Sequence, residues 1–224
     1  MATRRNGIET KRRILQASIP LFLKNGYSGA KYPEIIRAAN VSDSSFYHAF
    51  GSKEGILKEL ASIMFEKQFQ AVRRRFSGKI SSSGVYPAVL ALQLVLTEQD
   101  KNIRDVYLAA YSMPSTLELI SRYRTPELVK ALGSYFPEDT AQKAYERDLA
   151  ISGLLHSFIL RKCDEDFSIE EKLRLFLDMS LSALRVPQQA QATITDGILA
   201  LDLHSTAAHL IEHLAETLFD SVSG

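Results

Sequence analysis

Pro33-Glu34-Ile35-Ile36-Arg37-Ala38-Ala39-Asn40-Val41-Ser42-Asp43-Ser44-Ser45-Phe46-Tyr47-His48-Ala49-Phe50-Gly51-Ser52-Lys53 is the stretch that decides the fold. Pro33 suits the start of a helix, where its missing N–H would have had no partner. The short helix runs through Ile35 and Ile36 to Ala39. Asn40-Val41-Ser42 then makes a tight turn: Asn40 tolerates the left-handed conformation at a helix end, and Ser42 caps the next helix by accepting the Ser45 N–H. That helix, Asp43–Phe50, is stopped by Gly51, and Ser52 caps a long helix over 53–76 with Ile56, Leu57, Leu60, Ile63, Met64 and Phe69 as apolar positions. Upstream, Ile14, Leu15, Ile19 and Phe22 fall at helical spacing over 10–22, and Gly26 sits where a left-handed C-terminal cap belongs. An interior proline costs a helix about 3 kcal/mol unless it kinks, so Pro20 predicts a kink or local distortion. Three short helices with a three-residue turn between the second and third form a helix-turn-helix pattern.

The periodicity stays helical beyond this point. After a loop at 77–84, helices are expected near 85–99, 102–112, 114–123, 126–136, 139–162 and 169–185. The last of these opens with a capping box at Ser168-Ile169-Glu170-Glu171. Pro187 and the Gln/Ala stretch after it break the pattern, and a final helix covers 205–221. Between them, Thr193-Ile194-Thr195-Asp196-Gly197-Ile198-Leu199 reads as a small Asp-Gly hairpin or as helix, with helix adopted here.

The 224 residues are 46% hydrophobic, which excludes both disorder and a disulfide-stapled miniprotein. The single cysteine, Cys163, has no internal partner for a disulfide and points to a reducing compartment. The N-terminus is polar, and no apolar run reaches the roughly 18 residues of a membrane span. A soluble, cytoplasmic protein without membrane contact is therefore expected. The net charge of +1 hides an asymmetry: residues 1–79 hold 15 Lys and Arg against 6 Asp and Glu, whereas 80–224 hold 12 against 20. Charge sorted in this way suggests one part that meets polyanions and one that does not.

In a helix-turn-helix, one helix braces against the DNA backbone while the next lies in the major groove with its first residues at base edges. Ser44 and Ser45 are small enough to let the backbone approach. Tyr47 and His48, one turn on, reach phosphate or a thymine methyl. Lys53 lies in the first turn of the long helix, where free N–H groups already favour an anion. The run Thr10-Lys11-Arg12-Arg13-Ile14-Leu15, then Leu21-Phe22, Gly26-Tyr27, Ile35, Ala39-Asn40-Val41-Ser42, Phe46-Tyr47, Phe50 and Ser52-Lys53-Glu54, closely resembles the DNA-binding domain of the TetR/AcrR family of transcriptional regulators over about residues 8–60. The resemblance implies an all-α dimer. Its N-terminal three-helix DNA-binding domain (1–53) would be joined by a long helix to a helical ligand-binding and dimerisation domain (54–224). The chain departs from the family pattern at Ala30, Ile36, Asn40, Ser44 and Ala49. Ala30 stands where the family has threonine, which leaves Lys31 or Tyr32 to supply the cap or phosphate contact. The expected DNA-binding set is therefore Lys31, Tyr32, Ser42, Ser44, Ser45, Tyr47, His48 and Lys53.

Phe46 is expected in the core, as the apolar anchor of its helix. Arg4 and Arg5 read as a minor-groove arm or as a solvated tail. Arg73, Arg74 and Arg75 lie about five helical turns from Lys53, roughly 30 Å, and are surface or interdomain charges. His204, His209 and His213 invite a metal reading, but zinc wants a third ligand. His209 and His213 fall opposite the Leu210/Leu214 stripe, so solvated histidines and no metal site are expected. His156, in an apolar helix, lines a pocket, sits at a dimer interface or is a satisfied core histidine. Ala150, Gly153 and Ser157 are small residues at helical spacing, suited to a close helical contact between protomers through 139–162 and 169–185. Phe65, Phe69, Tyr107, Tyr111 and Phe158 read as core. No Gly-rich phosphate loop, His-Glu-x-x-His, nucleophile elbow or cysteine cluster is present, so neither an enzyme nor a cofactor is expected. The sequence thus reads as a sequence-specific regulator, a repressor released from a palindromic double-stranded operator by a small-molecule effector. The competing reading is a helical protein–protein module that has lost DNA binding.

Overall fold

The computed structural model describes the backbone of residues 2–223 and the side chains of 7–216 and 218–220. The side chains of Arg4 and Arg5 lie outside that set. Twelve α-helices make up the described residues, with no strand beyond an isolated bridge between Asp164 and Phe167. No described helix is long and apolar enough to cross a membrane.

Helix α1 (Ala2–Gly29) begins eight residues before the expected start and runs on past Phe22, whereas α2 (Tyr32–Ala39), α3 (Asp43–Phe50) and α4 (Lys53–Arg75) follow the expected boundaries to within a residue, because local chemistry sets each end. Asn40 closes α2 in the left-handed region (φ 49°, ψ 54°), and the Ser42 hydroxyl accepts the Ser45 N–H at 3.2 Å. Ser52 accepts the Gly55 N–H at 3.3 Å. Pro20 behaves otherwise than expected. The α1 backbone leaves helical dihedrals at Gly26 (φ 71°, ψ 176°), six residues on, while the proline itself lies exposed within the helix. Buried Ile19 and Phe22 on either side hold the helix to the core, and that packing offsets the missing hydrogen bond.

The remaining helices wrap around α5 (Val85–Gln99), whose residues from Tyr86 to Thr97 are all buried. A helix without a polar face belongs at the centre of a larger bundle. Around it stand α6 (Lys101–Ser112), α7 (Pro114–Leu132), α8 (Ala141–Leu160), α9 (Ile169–Ala183), α10 (Gln188–Leu199), α11 (Leu203–Glu212) and α12 (Leu214–Ser223). Three expectations are corrected here. Helix α7 continues through Pro126, where two helices were expected, because Ile120 and Arg124 before the proline and Leu128 and Leu132 after it are all buried. The Gln/Ala stretch after Pro187 is helical. Pro187 is extended and precedes α10, whose Ile194 and Ile198 are buried, and 193–199 is helix, as expected, and not hairpin. The final helix is two, α11 and α12, which meet at His213.

The expected core aromatics Phe65, Phe69, Tyr107 and Tyr111 are buried, and Phe158 is half-buried. Arg73 pairs with Glu127 of α7, and Arg75 donates to Ser205 Oγ of α11 at 3.0 Å, so these arginines tie α4 to its neighbours.

Candidate nucleic-acid interface

The turn between α2 and α3 is braced from α1. Helix α2 ends with unpaired carbonyls, and the Arg13 guanidinium donates to two of them, Ala39 O at 2.6 Å and Asn40 O. Nothing in the local pattern signals this role, because Arg13 lies 26 residues away in sequence. Phe46, with no exposed surface, anchors α3 to the core as expected. It stands edge-on to Tyr32 at 4.7 Å between ring centroids.

This anchoring turns the rest of α3 outward. Ser44, Tyr47 and His48 are exposed, Tyr47 by 59%. Ser45 is half-buried and shares a hydroxyl–hydroxyl hydrogen bond of 2.9 Å with Ser42. The N-terminal end of α1 lies alongside: Gly7, Ile8, Thr10 and Lys11 line a groove whose other wall is Ser45, His48 and Ala49. That wall was missed in the sequence, since nothing local places residues 7–11 beside 45–49.

The remaining expected residues are committed to partners. The Tyr32 hydroxyl donates to Asp43 Oδ1 at 2.7 Å, tying α2 to the first turn of α3. Lys31 is exposed, and its Nζ donates to Ser28 O at 3.2 Å. Lys53 is half-buried and turned inward, with Nζ donating to Tyr27 O at 2.8 Å and Ala30 O at 3.2 Å, above the Tyr27 ring. Burial, and next the Lys31 ammonium, lower its pKa below the usual lysine value. An ammonium carries three donors, so one remains beyond the two carbonyls. The structure thus gathers Ser42, Ser44, Ser45, Tyr47 and His48 on one outer surface, and places Lys31 and Lys53 around the end of α1.

Helix α6 reaches the same junction from the other side. Asn102 Nδ2 donates to Leu23 O and Lys24 O at 3.0 and 2.8 Å. Asp105 accepts from Ser28 N at 2.7 Å and Ser28 Oγ at 2.9 Å. A Cβ on Gly26 would stand 2.6 Å from Asp105 Oδ2, so this contact and the positive φ both require glycine.

Farther along α6, Tyr107 and Tyr111 join a buried polar chain. Tyr107 meets Gln68, Gln68 accepts from Gln93 Nε2 at 2.9 Å, and Gln93 accepts from the Tyr111 hydroxyl at 2.7 Å. Arg124 NH1 donates to that hydroxyl at 2.8 Å, and Arg124 forms a fully buried ion pair with Asp148 at 3.0 Å. Beside Tyr107 and Gln68, the apolar side chains Met64, Leu96, Ile103, Leu210, Leu214 and Leu218 enclose a cavity of about 30 Å³, room for one water.

Residues 14–60 match the family described as bacterial regulatory proteins, tetR family. Over these residues the chain is similar to the tetR family. Among its curated relatives, the uncharacterised HTH-type transcriptional regulator YvkB of Bacillus subtilis is 22% identical over 68% of this chain and 82% of its own. YdgC of the same organism, also an uncharacterised HTH-type transcriptional regulator, is 41% identical over 24% of this chain and 28% of its own length. The match to the latter is confined to 54 residues. In overall fold, the crystal structure of RolR in complex with resorcinol superposes with a TM-score of 0.66, covering 90% of this chain and 97% of that one at 17% identity. The chain is thus similar to tetR-family regulatory proteins over residues 14–60, and its described residues carry a helix-turn-helix within an all-α fold like that of RolR.

Proposed function

We propose that the chain is a homodimeric repressor that binds a two-fold symmetric operator and is released from it by a small-molecule effector. The division into a DNA-binding part (1–53) and an effector and dimer part (54–224) belongs to the same proposal. The observation that carries it is the outer face of α3: Ser44, Tyr47 and His48 are exposed around a buried Phe46, on a turn braced by Arg13. In this reading Ser44, Ser45, Tyr47 and His48 meet base edges and nearby phosphates. Ser42, Lys31, Tyr32 and the remaining donor of Lys53 set the backbone contacts. Two copies would place α3 in successive major grooves, about 34–36 Å apart or a multiple of that.

Dimerisation is supported by an outward apolar face on α8 and α9. Leu149, Leu160, Leu175 and Met179 are exposed there, and Ala150, Gly153 and Ser157 are exposed small residues on α8. His156 is half-buried, within 3.0 Å of Ser112 Oγ, and so belongs with the packing of α6 on α8. Effector binding is supported by the cavity beside Tyr107 and Gln68 and by the RolR structure, whose bound ligand is resorcinol. At one water's volume the cavity must open to admit an effector. Helix α4 is the lever, since it begins at the DNA-binding face and lines the cavity, and α6 is a second link through Asn102 and Asp105. The effector lowers DNA affinity only by as much as it prefers the released arrangement.

Selection of bound fragments from random or genomic DNA, followed by affinity at several salt concentrations, tests this. A two-fold symmetric consensus bound roughly 10³-fold or more above random DNA, with log K falling steeply against log salt, is expected, and Tyr47→Ala and Lys53→Ala should weaken it. No enrichment, with weak unselective binding unchanged in those variants, would replace the proposal with a protein-binding role for the same face.

A further inference from the structure

The junction of α11 and α12 gathers two imidazoles and two carboxylates. His209, Glu212 and His213 follow one another at i, i+3 and i+4, so the end of α11 presents them on one face. One ligand-type atom of each lies within 4.8 Å of the other two, and the two imidazole centroids are 4.4 Å apart. His213 uses its two nitrogens differently. Nδ1 is 3.0 Å from Glu216 Oε2 on α12, whereas Nε2 is 3.9 Å from Glu212 Oε2. A carboxylate on one ring nitrogen fixes the proton there and leaves the other nitrogen's lone pair free for a metal. Two donors on a tetrahedral zinc, with bonds of about 2.0–2.1 Å, stand roughly 3.3 Å apart. Rotation of the exposed His209 and Glu212 side chains toward the half-buried His213 would close the observed separation to that value. The C-terminal carbonyl end of α11 adds a further field that favours a cation.

We propose that His209, Glu212 and His213 form a binding site for a divalent transition metal of borderline softness, zinc foremost, with Glu216 holding His213 in its binding tautomer. Glu212 is the third ligand that the two histidines lack when read alone. Two imidazoles select against magnesium and calcium, and the absence of a thiolate selects against copper(I). Three protein ligands leave a coordination position for water or an exogenous group. The metal would pin the start of α12, which packs on α1 and α4.

Equilibrium dialysis of zinc against the untagged full chain, with cobalt(II) visible absorption as a second readout, tests the site. One metal per chain is expected, with cobalt ligand-field bands characteristic of low coordination number. His209→Ala and His213→Ala should each weaken zinc binding by at least about ten-fold, and Glu216→Gln by roughly ten-fold. His204→Ala, an exposed histidine on the same helix, should bind zinc as the unaltered chain does. Unchanged zinc affinity in His209→Ala and His213→Ala, or half a metal per chain, would overturn the proposal. Circular dichroism of each variant checks folding. DNA binding by the metal-free chain is measured separately, so this site and the proposed repressor role stand or fall independently.

Discussion

Phe46 has no exposed surface and Tyr47 leaves 59% of its own in solvent, although the two are consecutive on α3. Truncating a fully buried phenylalanine costs about 3–5 kcal/mol, so Phe46→Ala should lower the unfolding midpoint sharply and take DNA binding with it. Tyr47→Ala should leave stability within about 0.5 kcal/mol and weaken operator binding alone; thermal melts and a binding titration on the same samples separate the two. Glu98 offers a pH test. Burial pushes its carboxyl up, but the hydrogen bond and charge of Lys172, with Arg104 beside it, outweigh that and leave its pKa below the usual 4.5. A carboxyl depressed on folding contributes stability above its unfolded pKa and loses it as pH falls through the folded value. Urea unfolding from neutrality down through the carboxylate range should therefore show a flatter loss in Glu98→Gln than in the unaltered chain. The same variant should be less stable at neutrality by about 3–5 kcal/mol, because it leaves the fully buried Lys172 ammonium without its counter-charge.

Helices α2 to α4 were legible because their ends are decided within four residues: Asn40 in the left-handed region, Ser42 and Ser52 as caps, Gly51 as stop. The helices that misled are those whose prolines are overruled by distant packing. Pro126 interrupts nothing because buried side chains flank it on both sides, and Pro187 precedes a helix as readily as it follows one. The clasp between α6 and the end of α1 is invisible locally, since Asp105 and Ser28 are 77 residues apart. Removing a charged hydrogen-bond partner costs about 1.5–3 kcal/mol. Asp105→Ala should therefore speed amide exchange at residues 27–30 while exchange in α8 and α9 stays as it was. Equal protection at 27–30 in both proteins would show that the clasp does not hold the junction.

At the scale of the whole molecule, the testable element is the outward face of α8 and α9. A Cβ on Gly153 meets nothing within 4 Å in the single chain, and replacing glycine inside a helix is favourable by up to about 1 kcal/mol. Gly153→Glu should thus fold at least as well as the unaltered chain. On the proposed dimer it would bring a carboxylate against the partner's apolar face, so light scattering should show monomer and operator affinity should fall. A dimer that persists would place the interface elsewhere.

What the sequence by itself determined is the all-helical architecture, the helix-turn-helix and the face of α3 that turns outward, because caps, turns and helical periodicity act over a few residues. What only the tertiary structure decided is everything joined over long separations: Arg13 on the end of α2, the inward turn of Lys53, the buried Arg124–Asp148 pair and the α6 clasp. Each of these rests on burial and on hydrogen-bond geometry between groups far apart in sequence. Such groups have no local signature, since the energy that selects them arises only when the helices that carry them are packed together.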